Sequence, residues 1–278
     1  MAQADLHIHT HFSDSSLSPE EIVEYAKGIG LKIIGITDHD SVEGIDEALK
    51  YAKPYDIEVI PGVELSAERE NGELHILGYF IDWKNKWFND ELKIFRQTRE
   101  KRAHLIISKL KELNVNIDYE QVIQVVKKNV GNEAISRLHI ATVLHQRKMV
   151  DSIKDAFEKY LNYGAKAYVP KFSLTPKQAI EMILKTGGIP VLAHPYFSKC
   201  NENLILELVK CGLKGIEVFH PQQNIKGQQF CQKMAQKYNL VMTGGSDCHG
   251  LFKESISIGM VTVDENVVKC MKGMVGRR

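Results

Sequence analysis

The sequence lacks an excess of either charge: 36 Lys and Arg stand against 35 Asp and Glu in 278 residues, a formal net charge of +1. A protein that binds long nucleic acid along its length needs a basic surface, so the composition argues against that class, and any contact with a polyanion must be local. The chain also lacks paired cysteines. Its five are odd in number and show no Cys-x-x-Cys spacing, which argues against a disulfide scaffold and for reduced thiols in a cytoplasmic compartment. No apolar run is long enough to cross a bilayer, and no basic-then-apolar leader precedes the first strand-like segment. A soluble, unsecreted protein is expected. The 44% hydrophobic content suffices for one large α/β domain or two small ones.

What is present is histidine set among carboxylates at the ends of apolar runs. Asp5-Leu6-His7-Ile8-His9-Thr10 is the first such cluster. Thr37-Asp38-His39-Asp40, Gly62-Val63-Glu64, His75, Ala193-His194-Pro195 and Gly245-Ser246-Asp247-Cys248-His249 follow. Successive side chains of a strand point to opposite faces, so His7 and His9 share a face and can converge on one ion while Leu6 and Ile8 pack the other way. Imidazole suits Zn, Fe and Mn, and a carboxylate can bridge two ions. One His-x-His is a weak signal. Its repetition at the same position of successive strands is not explained by core packing, because buried His and Asp are costly without partners. A multinuclear metal site is expected.

Strand-like runs occur at 5–9, 33–37, 58–63, 74–80, 189–193, 215–219 and 240–244. Amphipathic helical stretches at 18–28, 42–53, 175–186, 202–210 and 225–237 separate most of them, the first with Ser18 as N-cap and Pro19 behind it. Strand and helix in alternation imply parallel pairing. Seven strands with candidate ligands at nearly every C-terminal end fit a closed or nearly closed β/α barrel better than an open sheet, which concentrates function at one switch point. From about 87 to 164 the pattern becomes helical, at 90–113, 119–126, 140–148 and 153–160. The expected organisation is a discontinuous barrel domain, 1–88 and 165–278, with a helical insertion, 89–164, over its mouth. The tail from 265 carries the weakest pattern, and its last basic residues read as solvated.

The stretches DLHIHTHFSD, GITDHDSVEG, VIPGVELSA, HILGYF, ISRLHIATVL, GGIPVLAHP and GGSDCHG resemble, in order and spacing, the PHP family, named for polymerase and histidinol phosphatase, and in particular its nucleoside 3′,5′-bisphosphate phosphatase branch. The resemblance runs over nearly the whole chain. It implies an α/β fold, a distorted (β/α)7 barrel with a helical insertion, holding two or three divalent ions. It places His7 and His9 on one ion and Asp14 on another, adds His39, and makes Glu64 the bridge. His75 and His194 complete the second ion, and Asp247 and His249 serve the first and third. His7, His9, Glu64, His194 and Asp247 would also carry the catalysis. Mixed His and carboxylate ligands accept Mn, Fe or Zn alike. Two positions depart from the family pattern: Arg137-Leu138-His139 stands for Arg-Pro-His, and Cys248 for an aromatic. Both concern the shape of the substrate pocket.

A clue to substrate comes from the residues of the insertion. Along 90–113 the apolar stripe runs Leu92, Phe95, Ile106, Leu110 and Leu113, and the positions continuing it between are Arg99 and Arg102. Either these pair with a carboxylate of a neighbouring helix or snorkel, the common fate of such arginines, or they clamp a phosphate with their planar fork of donors. Ser136-Arg137-Leu138-His139 opens another helix, whose free backbone N–H groups attract anions. A second phosphate site away from the metals is what a bisphosphate requires, and the family resemblance points to Arg99, Arg137 and His139. His11 is left as a supporting or surface residue. His220, before Pro221, stands where a proton donor could sit, and Cys248 reads as a small packing residue. Tyr168 or Phe197 would stack on a base.

The expected activity is metal-dependent hydrolysis of a phosphate monoester of a nucleoside 3′,5′-bisphosphate, such as adenosine 3′,5′-bisphosphate to AMP, with trimming of short 5′-phosphorylated RNA as an extension. The alternatives are a histidinol phosphatase and a metal-binding PHP module without catalysis. Partners would be a small nucleotide or short oligonucleotide, with no membrane and no long nucleic acid.

Overall fold

The structure, a computed structural model, describes residues 2–69, 72–127, 135–170, 174–196, 198–253 and 255–276. Its strands are β1 (Gln3–Ile8), β2 (Ile33–Ile36), β3 (Glu58–Arg69), β4 (Gly72–Tyr79), β5 (Ile189–Leu192), β6 (Gly215–Phe219), β7 (Val241–Gly244) and β8 (Val263–Asp264). They form one sheet in the order β7-β6-β5-β4-β3-β2-β1-β8. The sheet curls until its ends meet. Ile8 forms a parallel bridge with Cys248, the His9 N–H donates to the Cys248 carbonyl at 3.1 Å, and a Cβ on Gly245 would stand only 2.4 Å from the His7 nitrogen. The result is a nearly closed eight-stranded barrel of mixed α/β class.

Two expectations are corrected. The strands number eight among the described residues, not seven, because the weakly patterned tail supplies β8, antiparallel to β1, before the helix Glu265–Val275. Pairing is not parallel throughout: β3 and β4 form an antiparallel hairpin, and β4 is also antiparallel to β5. Only two residues separate β3 from β4, and a parallel crossover needs a dozen or more. The sequence carries an Asn-Gly dipeptide here, Asn71-Gly72, a hairpin signal that counting strands by their alternation with helices does not use.

The helices are α1 (Pro19–Gly28), α2 (Gly44–Ala52), α3 (Lys86–Glu112), α4 (Tyr119–Lys127), α5 (Arg137–Gln146), α6 (Ile153–Ala156), α7 (Pro176–Lys185), α8 (Glu202–Lys210), α9 (Ile225–Tyr238) and α10 (Glu265–Val275). Local chemistry explains their starts. Ser18 accepts the Glu21 N–H at 3.1 Å while the Glu21 carboxylate accepts the Ser18 N–H at 2.7 Å, and Pro19 needs no donor there. Ile22, Val23 and Ala26 of α1 then join the main core with Ile45 and Ala48 of α2 and Ile180 and Ile183 of α7. Val268 and Met271 of α10 pack with Ala4, Leu6, Ile60 and Leu77.

Helix α3 serves two cores. Phe88, Leu92 and Phe95 belong to the main core, whereas Ala103, Ile106, Ile107 and Leu110 belong to a second one with Val122, Ile140, Leu144 and Leu161. The change of core thus falls inside one long helix, between Phe95 and Ala103.

Candidate metal centre

The nine residues expected to hold metal meet in one place. His7 lies in β1 and His9 just beyond it, Asp14 in the next loop, His39 after β2, Glu64 in β3, His75 in β4, His194 after β5, and Asp247 and His249 after β7. Glu64 stands at the centre. Its Oε1 is 2.9 Å from His75 Nδ1 and 3.0 Å from His194 Nε2. Its Oε2 is 3.2 Å from the Nε2 atoms of both His7 and His9 and 3.3 Å from His39 Nδ1. Asp247 Oδ1 lies 3.1 Å from His9 Nε2 and 3.5 Å from His7 Nε2, and Asp14 Oδ1 lies 3.3 Å from His249 Nε2.

Backbone and buried polar groups hold this arrangement. Glu64 N–H donates to the Asp38 carbonyl and Asp40 N–H to the Glu64 carbonyl, each at 3.0 Å, so the loop after β2 is stitched to β3. The Asp38 carboxylate accepts the Thr10 N–H and hydroxyl, both at 2.7 Å, shaping the turn that carries Asp14. Two of the expected ligands sit on left-handed backbone: His194 at φ 29° and Asp247 at φ 48°. Such positions cost about 1–3 kcal/mol each and persist where the surroundings impose them.

The donor set fits divalent ions. Ligand atoms fall into three groups within 4.8 Å of one another: His9, Asp14, His39 and His249; His7, His9, Glu64 and Asp247; His39, Glu64 and His75. His9 Nδ1 has no hydrogen-bond partner among the described residues, with Asp14 Oδ1 3.7 Å away. Imidazole and carboxylate together suit Mn, Fe or Zn. Burial pushes the Glu64 carboxyl up, but His39, His7 and His75 outweigh it and hold it well below the usual range. Burial likewise raises Asp14, and His249 and His39 outweigh it. Both carboxylates are therefore held in the ionised form, the form in which a carboxylate can bind a metal ion.

These motifs decide the family, since its PHP domain profile matches residues 5–170. The chain belongs to the PHP domain family. A 5′-3′ exoribonuclease of Haemophilus influenzae is 33% identical over 249 residues, 88% of this chain and 89% of its own length. A 3′,5′-nucleoside bisphosphate phosphatase of Chromobacterium violaceum is 30% identical over 253 residues, 90% of this chain and 88% of its own. The crystal structure of a protein described as a metal-dependent phosphoesterase, from Bifidobacterium adolescentis, superposes with a TM-score of 0.90 at 28% identity, covering 98% of this chain and 96% of that one. The chain is a PHP-type metal-dependent phosphoesterase. Among the described residues, no helix is long and apolar enough to cross a membrane.

The residues expected at the substrate are placed less uniformly. The side chain of Arg99 and the whole of Phe197 lie outside the described residues. Arg102 is buried, its Nε donating to the Val169 carbonyl at 2.8 Å and its Nη1 3.6 Å from Glu73 Oε1. Arg137 pairs with the other Glu73 oxygen and donates to the Leu161 carbonyl at 3.2 Å. Both arginines therefore share one carboxylate, and it comes from β4 instead of a neighbouring helix. Arg102 Nη2 keeps no hydrogen-bond partner among the described residues. Tyr168 covers the Arg102 guanidinium at 5.6 Å, with its hydroxyl 3.3 Å from Glu68.

The α5 N-terminus is corrected in one respect. Ser136 accepts the N–H groups of Leu138 and His139 at 3.2 and 3.4 Å, and His139 Nδ1 accepts the Ser136 N–H at 3.1 Å. Those backbone donors are capped, so they are not free for an anion. His11 is buried beside Phe12 and gives no atom to the metal groups. Cys248 is buried where the barrel closes.

Strand β6 and the residue that follows it include groups the sequence reading missed or left open. Glu217 is fully buried against His7. His220 Nδ1 accepts the Gln222 N–H at 3.2 Å, so Nε2 carries the proton and faces Asp247 Oδ2 at 3.3 Å. Glu217 sits within the apolar run Gly215–Phe219, where the alternation of a strand marks an inward polar residue as worth a partner.

Proposed function

We propose that this chain hydrolyses a phosphate monoester that stands one short step from a second phosphate, as in a nucleoside 3′,5′-bisphosphate or the first nucleotide of a short 5′-phosphorylated RNA. The observation that carries this reading is the Arg102 and Arg137 pair beside the metal centre. Both reach Glu73, which shares a face of β4 with His75 two residues on. At about 3.4 Å per residue, that sets Glu73, the carboxylate holding both arginines, roughly 7 Å along the strand from His75. Glu68 adds a second carboxylate near Arg102, yet among the described residues Arg102 Nη2 is a buried donor with no hydrogen-bond partner, a group that calls for an acceptor.

Divalent ions held by the nine residues would activate water and neutralise charge building on the phosphate oxygens. The chain supplies the rest. Glu64 and Asp247 keep the imidazoles of His7, His9, His75 and His194 turned inward, and His220 holds a proton at Nε2 beside Asp247. Arg102 and Arg137, with Arg99 and His139 nearby in sequence, would fix the second phosphate and so the register of the reacting one. Tyr168 offers a face for stacking without reading a particular base.

The names of the two relatives correspond to the two kinds of substrate. A histidinol phosphatase is disfavoured, because its cationic substrate would meet arginines. The test is phosphate release by Mn-loaded protein from adenosine 3′,5′-bisphosphate, AMP, histidinol phosphate and a short 5′-phosphorylated RNA, side by side. A marked preference for the bisphosphate or the RNA over AMP is expected, and turnover confined to histidinol phosphate would refute the reading.

A further inference from the structure

Strand β6 gives no expected metal ligand, yet it carries a carboxylate with no solvent contact at all. Glu217 is 0% exposed. Its Oε1 lies 2.9 Å from His7 Nδ1, and its Oε2 accepts the backbone N–H of His194 at 2.8 Å. Both partners are residues of the metal centre: His7 lies in β1, and His194 lies just after β5, the strand that pairs with β6. The other nitrogen of His7, Nε2, faces Glu64 and Asp247 at 3.2 and 3.5 Å.

An imidazole that binds a metal through one nitrogen must carry its proton on the other. A carboxylate has only acceptors, so Glu217 can tolerate His7 in a single way, with the proton on Nδ1. The Nε2 lone pair is then the one that points into the ligand cluster. The second Glu217 oxygen takes the N–H of His194, whose left-handed backbone aims its ring at Glu64.

We infer that Glu217 is a positioning residue of the metal centre, fixing the His7 tautomer and the His194 backbone so that both imidazoles meet the ions. This rests on the metal-dependent reading above. The alternative is that Glu217 only satisfies buried polar groups, and Glu217→Gln separates the two. A glutamine of the same shape can accept the His194 N–H with its oxygen and donate its amide to His7 Nδ1. That keeps every hydrogen bond but moves the His7 proton to Nε2, against the metals. Outer groups of this kind are worth about 10–100-fold in metal affinity.

The experiment titrates metal-stripped full-length wild type and E217Q with Mn and Zn against a chelator, and records the melting temperature of each stripped protein. Expected is a metal affinity lower by about 10–100-fold with an unchanged melting point before metal is added. Equal affinities, or a loss matched by a fall in the stripped protein's melting point, would overturn the inference. A second measurement needs no variant: nitrogen NMR of Zn-loaded wild type should find the His7 proton on Nδ1, and a proton on Nε2 would overturn the inference. Failure of the wild type itself to bind metal would instead refute the metal-dependent reading on which the inference stands.

Discussion

Glu73 and His75 stand two residues apart on β4, so they share a face: His75 reaches Glu64 at 2.9 Å in the metal centre, while Glu73 takes Arg137 and Arg102. One strand thus couples the ion cluster to the basic pair. Glu73→Gln should take from the buried Arg102 and the partly buried Arg137 the carboxylate that they share. A stability loss of about 1–3 kcal/mol is expected, discounted for partial exposure, with a raised KM for a bisphosphate and little change for AMP. Denaturant unfolding and initial rates check both parts; an unchanged KM for the bisphosphate would detach Glu73 from substrate binding.

Removing metal should cost stability as well as activity. Ions present at 100 times their dissociation constant contribute about 2.7 kcal/mol to the folded state. Dialysis against a chelator should therefore lower the melting temperature, and restoring Mn should recover it. No shift on chelation would mean that the nine residues hold no ion in solution.

Asp5 tests how the barrel is fastened. Its Oδ1 accepts the N–H groups of Ser246 at 2.9 Å and His7 at 3.3 Å, and its Oδ2 that of Gly259 at 2.8 Å. Asp5→Asn turns an amide donor against a donor, a loss of about 1–3 kcal/mol at neutral pH. Burial raises the Asp5 carboxyl from 3.8 to about 6. A raised folded value means that its contribution is full below the unfolded value and is lost as pH rises through the folded one. The stability gap between metal-stripped wild type and variant should narrow from about pH 4 to about pH 6, by up to about 3 kcal/mol. A gap independent of pH would contradict that assignment.

Closure itself is tested at Gly245. A methyl there would meet the His7 nitrogen at 2.4 Å and its Cβ at 2.5 Å. Gly245→Ala should destabilise by about 1–3 kcal/mol or more and weaken metal binding, because β1 and the Asp247 loop must part. Wild-type stability and metal affinity in the variant would show that the two edges are not in contact.

Much of this was legible in the sequence because the chemistry is repetitive. His7, His9 and Asp247 lie at or just beyond the ends of strands, and a barrel gathers strand ends at one mouth; Glu64 lies inside β3, which runs on past it to Arg69. What was missed obeys other rules. Counting strands by alternation with helices could not find the β3–β4 hairpin, whose sequence signal is the Asn71-Gly72 dipeptide, nor β8, whose two residues carry no period. Glu217 lies inside an apolar run and declares itself only when His7 is brought against it from 210 residues away. The stripe on α3 put Arg102 on a buried face, but the carboxylate it meets comes from another element, beyond the reach of helical spacing.

The most direct measurement is the ratio of kcat/KM for adenosine 3′,5′-bisphosphate to that for AMP, in Mn-loaded wild type and in Arg137→Ala. A charged hydrogen bond to phosphate is worth about 1.5–3 kcal/mol, so the ratio should fall roughly 10- to 100-fold in the variant, with AMP turnover nearly unchanged. Equal losses on both substrates would place Arg137 in the fold alone and contradict a second phosphate site beside the metal centre.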